Sequence, residues 1–328
     1  MLGVGIIGCG LIGHKRATNL TGGRLVACAD LSRDKAVALS RTVPGTVACE
    51  DWRDVLRHDD VKVVIVATPN DALAEISCAA LEASRHVLVE KPAARSVKEV
   101  ETIIQVARRT GRLVRVGFNH RYHPSFRKAR ELFDAGVLGP LMFIRGRYGH
   151  GGRLGYEKEW RADPAKSGGG ELIDQGVHLI DLARWFLGDF TVVEGHAATY
   201  FWQMPVDDNA FMNLRTAKGQ TAFLHASCTE WKNLFSFEIY GRDAKLHIEG
   251  LGGSYGIERL AYYKMLPQMG PPETTIWEYP GADGSWGREL AEFLEDIRLG
   301  REPSAGIADA RAALEVVGCI YRKSGLNI

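Results

Sequence analysis

No C-x-x-C pair occurs in the chain, whose six cysteines, Cys9, Cys28, Cys49, Cys78, Cys228 and Cys319, stand far apart. That scatter excludes a zinc framework or disulfide scaffold built on paired cysteines and suits the reduced thiols of a cytosol, so a cytoplasmic location is expected. Net charge is almost lacking too: 41 lysines and arginines face 40 acids, so no global field draws the protein to nucleic acid or to an anionic membrane. No apolar run is long enough to span a bilayer. Internal repeats and low-complexity tracts are missing as well. The opening MLGVGIIGCGLIGHKR is apolar but has no basic leader, its first cation being Lys15, so no targeting signal is expected there.

What is present is the composition of an ordinary globular protein, 45% apolar and 25% charged, over 328 residues, a length that suggests two domains. Up to about residue 118, short apolar runs (LGVGIIG, RLVACAD, VKVVIVATP, HVLVEKP and RLVRVGF) alternate with helical stretches starting near Leu11, Ser32, Asp51, Asn70 and Ser96. Strands that are continuously apolar belong to a parallel sheet covered on both faces, which predicts a doubly wound α/β, Rossmann-type domain over residues 1–120. Beyond Phe118 the pattern changes. A helix over 124–135, the strand LMFIRGRY, a long polar loop over 146–167 and a helix entered through GGGELIDQGVHLIDL precede β-rich runs from Thr191 to Leu260. Strands joined by turns predict a large, mostly antiparallel open sheet flanked by helices, an α+β domain over 121–328. Amphipathic helices near 286–299 and 306–322 close the chain, and the Pro/Gly-rich stretch 267–284 reads as a surface loop.

GCGLIG places Gly8, Gly10 and Gly13 after an apolar strand and before a helix. In that context the first glycine permits the tight turn, the second lets a pyrophosphate approach the backbone and the third lets the helix pack closely, so a dinucleotide site is expected, joined by Leu11 and Ile12 at the helix start. Asp30, ending the second strand ahead of Leu31, stands where a carboxylate receives the adenosine ribose hydroxyls. An acid there favours NAD over NADP, whereas nearby Arg33 leaves a 2′-phosphate open. Asp30 as a mere cap of the next helix is compatible with either. Thr68, Pro69 and Asn70 end the next long strand on the ligand side, with Asn70 readable equally as a cofactor contact or as a helix cap. Lys91, in VLVEKPAA, also ends a buried strand on that side, where an ammonium is costly without a task, although a surface lysine that simply snorkels fits the position as well.

On the GGGELIDQGVHLIDL helix, Asp174, His178 and Asp181 make one polar stripe in an otherwise apolar circumference. By itself such a stripe fits a satisfied structural pair, half of a metal site or proton transfer. No third and fourth ligand stand out, so no metal is expected. The segment 145–167 holds six lysines and arginines against three acids, together with Tyr148, Tyr156 and Trp160, which suits an anionic sugar as well as it suits a solvated loop.

Four motifs in order now carry a resemblance: the glycine fingerprint, Glu90-Lys91-Pro92, Asn119-x-Arg121-x-x-Pro124, and GGG-x-L-x-D-x-G-x-H-x-x-D. Over essentially its whole length the chain resembles the glucose-fructose oxidoreductase, inositol dehydrogenase and rhizopine catabolism (Gfo/Idh/MocA) family. The resemblance implies an NAD(P)-dependent oxidoreductase of a sugar, cyclitol or related polyol. It implies catalytic roles for Lys91, Asp174 and His178, cofactor contacts at Glu90, Lys91, Pro92 and Asn119, and a cis peptide before Pro92. Substrate contacts are expected from Lys91, Arg121, Tyr148, Trp160, Arg161, Asp174 and His178. Leu73 departs from the pattern, standing where the family commonly has a histidine. His178 is the expected acid/base, since its pKa lies near working pH, and Lys91 the stabiliser of alkoxide charge or a proton relay. Rival readings are an NADP-dependent ketoreductase or dehydrogenase of a nucleotide-linked sugar or sugar acid, and a nicotinamide-sensing regulator without turnover. Pairing of the open sheet into a homodimer or homotetramer is expected from the same resemblance.

Overall fold

Val63 to Val66 and Val87 to Val89 are all completely buried, the mark of strands covered on both faces. They belong to a six-stranded, wholly parallel sheet of β1 (Leu2–Ile7), β2 (Gly23–Ala29), β3 (Val47–Cys49), β4 (Val61–Val66), β5 (His86–Val89) and β6 (Val114–Val116). Its strand order, β3-β2-β1-β4-β5-β6, reverses direction between β1 and β4, the switch point where ligands of such folds lie. Helix Val97–Thr110 shows why these residues form these elements: Ser96 accepts the Glu99 N–H at the start, and Gly111, at φ 65°, ends it in a left-handed cap.

The computed structural model describes residues 1–326, and its chain divides into two units. The first comprises Met1–Asn119 and Gly284–Arg311, so the chain returns to it rather than passing once for all at residue 120. The reason is hydrophobic. Helix Ser285–Leu299 carries Leu290, Phe293 and Leu294 into one cluster with Val4, Ile6, Leu25 and Ile65. An amphipathic pattern announces that a helix has a buried face but not which core receives it.

The second unit is built on an eight-stranded sheet of β7 (Leu141–Gly149), β8 (Phe190–Ala198), β9 (Asn209–Thr216), β10 (Thr221–Ser227), β11 (Leu234–Gly241), β12 (Ala244–Glu249), β13 (Glu258–Lys264) and β14 (Glu273–Tyr279). The order is β14-β13-β12-β11-β7-β10-β9-β8, and only β7 and β10 run parallel. Alternation along β7 buries Ile144, Gly146 and Tyr148 on the helix side and turns Arg145 and Arg147 outward. Gly146 lies against Leu179, where a Cβ would meet the leucine at 3.2 Å, so the glycine lets the helix seat closely on the sheet.

Two expectations change. The stretch 267–284 is not simply a loop, because Glu273–Tyr279 pairs with β13 as an edge strand; the prolines around it hide a short β-branched and aromatic run. The loop over 146–167 also has order: β7 extends to Gly149, and a helix over Pro164–Ser167 is capped by the Asp163 carboxylate.

The three glycines of GGG lie outside the helix. Gly169 has φ +143° and packs where a Cβ would strike the Tyr321 ring, while a Cβ on Gly170 would overlap the Asp207 backbone. From there the chain enters five residues of wide π turns, Leu172–Gly176, that continue as α-helix Val177–Leu187. Asp207 anchors this entry: its buried carboxylate accepts from the Gly170 N–H at 2.9 Å, the Leu172 N–H at 2.7 Å and the Tyr321 hydroxyl at 2.8 Å. Asp207→Ala would leave three buried donors without that acceptor and is expected to destabilise the protein by about 2–4 kcal/mol. Chemical denaturation checks this, with Tyr321→Phe expected to cost less because it removes one donor along with its need.

Candidate active site

The first unit supplies a dinucleotide cradle. Gly8, at φ +97°, turns the chain where a Cβ would overlap Ala67, and Gly13 lies so close to the Gly8 carbonyl that it tolerates no side chain. Gly10 differs, since a Cβ there would meet nothing within 4 Å. That open ground sits at the start of helix Leu11–Thr18, whose first turn has no side-chain cap, so its N–H groups and positive dipole end face outward. The three glycines therefore fit a bound pyrophosphate in the roles their spacing predicts. Leu11 and Leu31 are exposed apolar side chains flanking the cradle, whereas Ile12 is half-buried.

Asp30 braces this loop. Its Oδ2 accepts from the Cys9 N–H at 2.8 Å and its Oδ1 from the Ser32 N–H at 2.9 Å. Each oxygen keeps further lone pairs, so the carboxylate is oriented by the backbone while able to receive ribose hydroxyls. Thr68 and Pro69 follow β4, and Asn70 is the first residue of helix Asn70–Glu82, one position past the cap, so its reading as the cap does not hold.

Lys91 follows Glu90 at the end of β5, and the Lys91–Pro92 peptide is cis, as expected. Glu90 is gripped from behind. Arg16, on the glycine helix, donates from Nε to Glu90 at 2.7 Å and from Nη1 to Glu289 at 2.5 Å, with all three side chains buried. Burial and the neighbouring Glu90 push the Glu289 carboxyl up against the pull of Arg16. Gly117 makes room, because a Cβ there would come within 2.8 Å of Glu90 and 2.9 Å of Arg16. Asn119 is held by Nδ2 donating to the Ser285 hydroxyl at 2.9 Å. Sequence reasoning missed Arg16 and Glu289; the signal for Arg16 was an arginine one turn after Gly13 on a face that must pack against the sheet.

In the second unit the polar stripe resolves into three differently held groups. Asp181, completely buried, receives a two-pronged bond from Arg121, Nε at 2.8 Å and Nη2 at 2.5 Å. This buried Arg121 fork braces the helix. Asp174, half-buried, accepts from Arg161 Nε at 3.0 Å, and Arg161 in turn lies 4.6 Å over the Trp160 ring. His178 is buried among rings: His120 stacks on it at 3.9 Å and Tyr148 stands at 6.1 Å. Tyr148 also approaches Tyr255, and burial holds its phenol in the protonated form. The site helix thus brings Asp174 and His178 together with Tyr148, Trp160 and Arg161.

Beside Asp174 lies a second buried group. Glu171 accepts from the Tyr156 hydroxyl at 2.9 Å and stands 3.4 Å from His150 Nε2. Burial pulls the His150 pKa down, but the Glu171 contact and charge outweigh it and raise it. The basic surplus of 145–167 does not gather into one anion site: Arg145 pairs with Glu238, Arg153 with Glu159, Arg161 with Asp174 and Lys166 with Asp163. Among the described residues no group of three or more His, Cys, Asp or Glu could hold a metal ion, and no helix is long and apolar enough to cross a membrane.

Comparison with known proteins matches both units. Residues 2–118 match the oxidoreductase family model with an NAD-binding Rossmann fold, and residues 126–247 match the GFO/IDH/MocA C-terminal domain. The scyllo-inositol 2-dehydrogenase (NAD(+)) of Bacillus subtilis (strain 168) is 27% identical over 326 residues, 95% of this chain and 90% of that protein. The crystal structure of aldose-aldose oxidoreductase from Caulobacter crescentus, complexed with glycerol, superposes with a TM-score of 0.84 at 26% identity, covering 99% of this chain and 97% of that one. Levoglucosan dehydrogenase in complex with NADH shares the fold, with a TM-score of 0.86 at 24% identity over 98% of both chains. With both family domains matched in order and the glycine cradle formed to fit, the chain belongs to the Gfo/Idh/MocA oxidoreductases, a family with an NAD-binding Rossmann domain acting on CH-OH groups.

Proposed function

We propose that the protein is an NAD-dependent dehydrogenase that interconverts a secondary alcohol and a ketone on a sugar, a cyclitol or a close derivative. The observation that carries this reading is His178: a buried imidazole on the turn after Asp174, packed against Tyr148, in a chain that also holds the glycine cradle. Relatives named as inositol and levoglucosan dehydrogenases support the substrate class.

When bound, the nicotinamide supplies the hydride acceptor. The chain's residues manage the proton and the geometry. His178 takes the hydroxyl proton during oxidation and returns it in reduction. Asp174, fixed by Arg161 at 3.0 Å, accepts a hydrogen bond from a neighbouring substrate hydroxyl. Lys91 supplies the positive charge that stabilises developing alkoxide. Trp160, Arg161 and Tyr148 contact the substrate, and Thr68, Pro69, Asn70, Glu90, Pro92 and Asn119 contact the cofactor. Since the basic side chains of 145–167 are largely paired, a neutral polyol is favoured over a sugar acid or a nucleotide-linked sugar.

A panel of sugars, cyclitols and nucleotide sugars, assayed with NAD and NADP by the absorbance of the reduced cofactor, tests the reading, and turnover confined to nucleotide sugars or sugar acids would reverse the substrate assignment. Lys91→Ala is expected to lower kcat by about 100- to 1000-fold, with NADH affinity, followed by fluorescence, nearly unchanged. Asp30→Ala removes the ribose acceptor; the ratio of kcat/KM for NAD over NADP is expected to fall about tenfold or more, the weight of one charge-assisted hydrogen bond.

The outer face of the eight-stranded sheet, with Phe223 and Ile276 exposed, supports self-association into a dimer or tetramer in a cytoplasmic setting. Light scattering of the purified protein is expected to give at least twice the 36.1 kDa chain mass.

A further inference from the structure

Glu171 takes no part in the chemistry described above, yet it is a carboxylate closed off from water, 1% exposed, three residues before Asp174. A charge buried so deeply is costly unless it is matched by groups it holds. Its own place is fixed, because the Glu171 N–H donates to the Asp207 carbonyl at 3.0 Å, at the anchored entry of the site helix. What it holds is the segment that follows β7. The Tyr156 hydroxyl donates to Glu171 Oε1 at 2.9 Å, and His150 Nε2 stands 3.4 Å from the same oxygen. The Gly152 N–H donates to His150 Nδ1 at 2.9 Å, which leaves the ring proton on Nε2, facing Glu171. Burial and the Glu171 charge keep the Tyr156 phenol protonated, so its hydroxyl remains a donor.

This grip is the buried fastening of a segment that is otherwise open to water. Of the described residues 151–161, Tyr156 alone is buried, while Leu154 is fully exposed. The backbone bonds of the segment are local: the Tyr156 N–H donates to the Arg153 carbonyl, Lys158 to Gly155, Glu159 to Tyr156 and Ala162 to Glu159. They curl it into two short turns without tying it to the site helix. Side chains make that tie. Tyr156 packs its ring against His150 at 5.6 Å and Trp202 at 5.7 Å and reaches Glu171, while Arg161 reaches Asp174 at 3.0 Å. Trp160 lies between these two fastenings in sequence, its ring 4.6 Å from the Arg161 guanidinium. The Arg161–Asp174 pair is partly open to water, at 34% and 17% side-chain exposure, whereas the Tyr156–Glu171 bond is dry, so the buried bond is the firmer of the two.

We propose that Glu171 is a positioning residue for the substrate side of the site: by holding Tyr156 and His150 it docks segment 151–161 on the site helix and so sets Trp160 and Arg161 where the substrate meets them. This rests on the reading of Trp160 and Arg161 as substrate contacts. A docked segment presents these groups already ordered, so binding does not have to order them. Loosening it raises KM more than it lowers kcat, since the proton transfer is assigned to His178.

The test uses Tyr156→Phe, which keeps the ring and removes one donor, Glu171→Ala, which removes the acceptor, and Glu171→Gln, which keeps an acceptor oxygen without the charge. Hydrogen–deuterium exchange followed by mass spectrometry needs no substrate. Amides of 153–163 are expected to exchange about fivefold faster in Tyr156→Phe and about tenfold or more in Glu171→Ala, with Glu171→Gln in between, while helix Val177–Leu187 exchanges as before. KM is measured with NAD and with scyllo-inositol and levoglucosan, the compounds in the names of two relatives, as probes. It is expected to rise in the same order as the exchange rates and by a larger factor than kcat falls, with NADH affinity unchanged. Unaltered exchange over 153–163 in Tyr156→Phe and Glu171→Gln, which keep the fold even where Glu171→Ala does not, would overturn the proposal, as would faster exchange with KM unmoved. The underlying reading fails separately: if Trp160→Ala and Arg161→Ala each left KM unchanged, the segment would not meet the substrate, while the exchange rates would still report whether Glu171 docks it.

Discussion

The Arg16 guanidinium is the interaction on which the first unit depends. It is wholly buried and shared between Glu90 and Glu289, so one cation offsets part of the cost of two carboxylates that would each be costly alone. Three separate parts of the chain meet there: the glycine helix, the end of β5 just before Lys91, and the returning helix Ser285–Leu299. Removing one partner of such a buried group typically costs about 3–5 kcal/mol, because the remaining charge has nowhere to go. Arg115 repeats the device on the same helix, reaching Asp296 at 2.5 Å and the Glu289 carbonyl at 3.3 Å. The return of the chain to the first unit is thus set by charge as well as by the Leu290, Phe293 and Leu294 packing.

The second unit uses the same logic around its site helix. Asp207 secures the entry by receiving two backbone N–H groups and the Tyr321 hydroxyl, and Arg121 secures the middle through Asp181. Between these fixed points the helix opens into wide turns over Leu172–Gly176, a local geometry often found at functional sites. Asp174 lies in the wide turns and His178 just beyond them. The result is a buried imidazole held next to two anchored stretches of helix, which suits the proton transfer proposed for it, since such a step tolerates little error in position.

Much of this was legible in the residues. Gly8, Gly10 and Gly13 each take the role their spacing assigns, because a missing Cβ has the same consequence in any protein: a turn, an open approach, a close packing. Apolar runs such as VKVVIV announced a parallel sheet, because only strands covered on both faces can be apolar at every position. Asp174, His178 and Asp181 could be recognised as a stripe on one helix, but not as a half-buried carboxylate bonded to Arg161, an imidazole buried among rings and a carboxylate locked to Arg121. That division depends on Arg161, Arg121 and His120, which lie 13, 60 and 58 positions away from their respective partners. The strand Glu273–Tyr279 was obscured by flanking prolines, since β-propensity is felt only once a neighbouring edge is there to pair with.

The sequence alone determined the periods, the turns and the chemistry at hand: a Rossmann domain followed by an antiparallel sheet, a dinucleotide fingerprint, and a lysine, an aspartate and a histidine set in recognisable motifs. Only the tertiary structure decided which buried polar groups meet. Arg16 with Glu289, Asp207 with the GGG turn, and His120 with His178 are pairs made by chain segments far apart, and no local pattern encodes them. Local propensity and periodicity act through neighbouring residues, whereas the cost of burying a charge is met by whichever partner the fold carries to it.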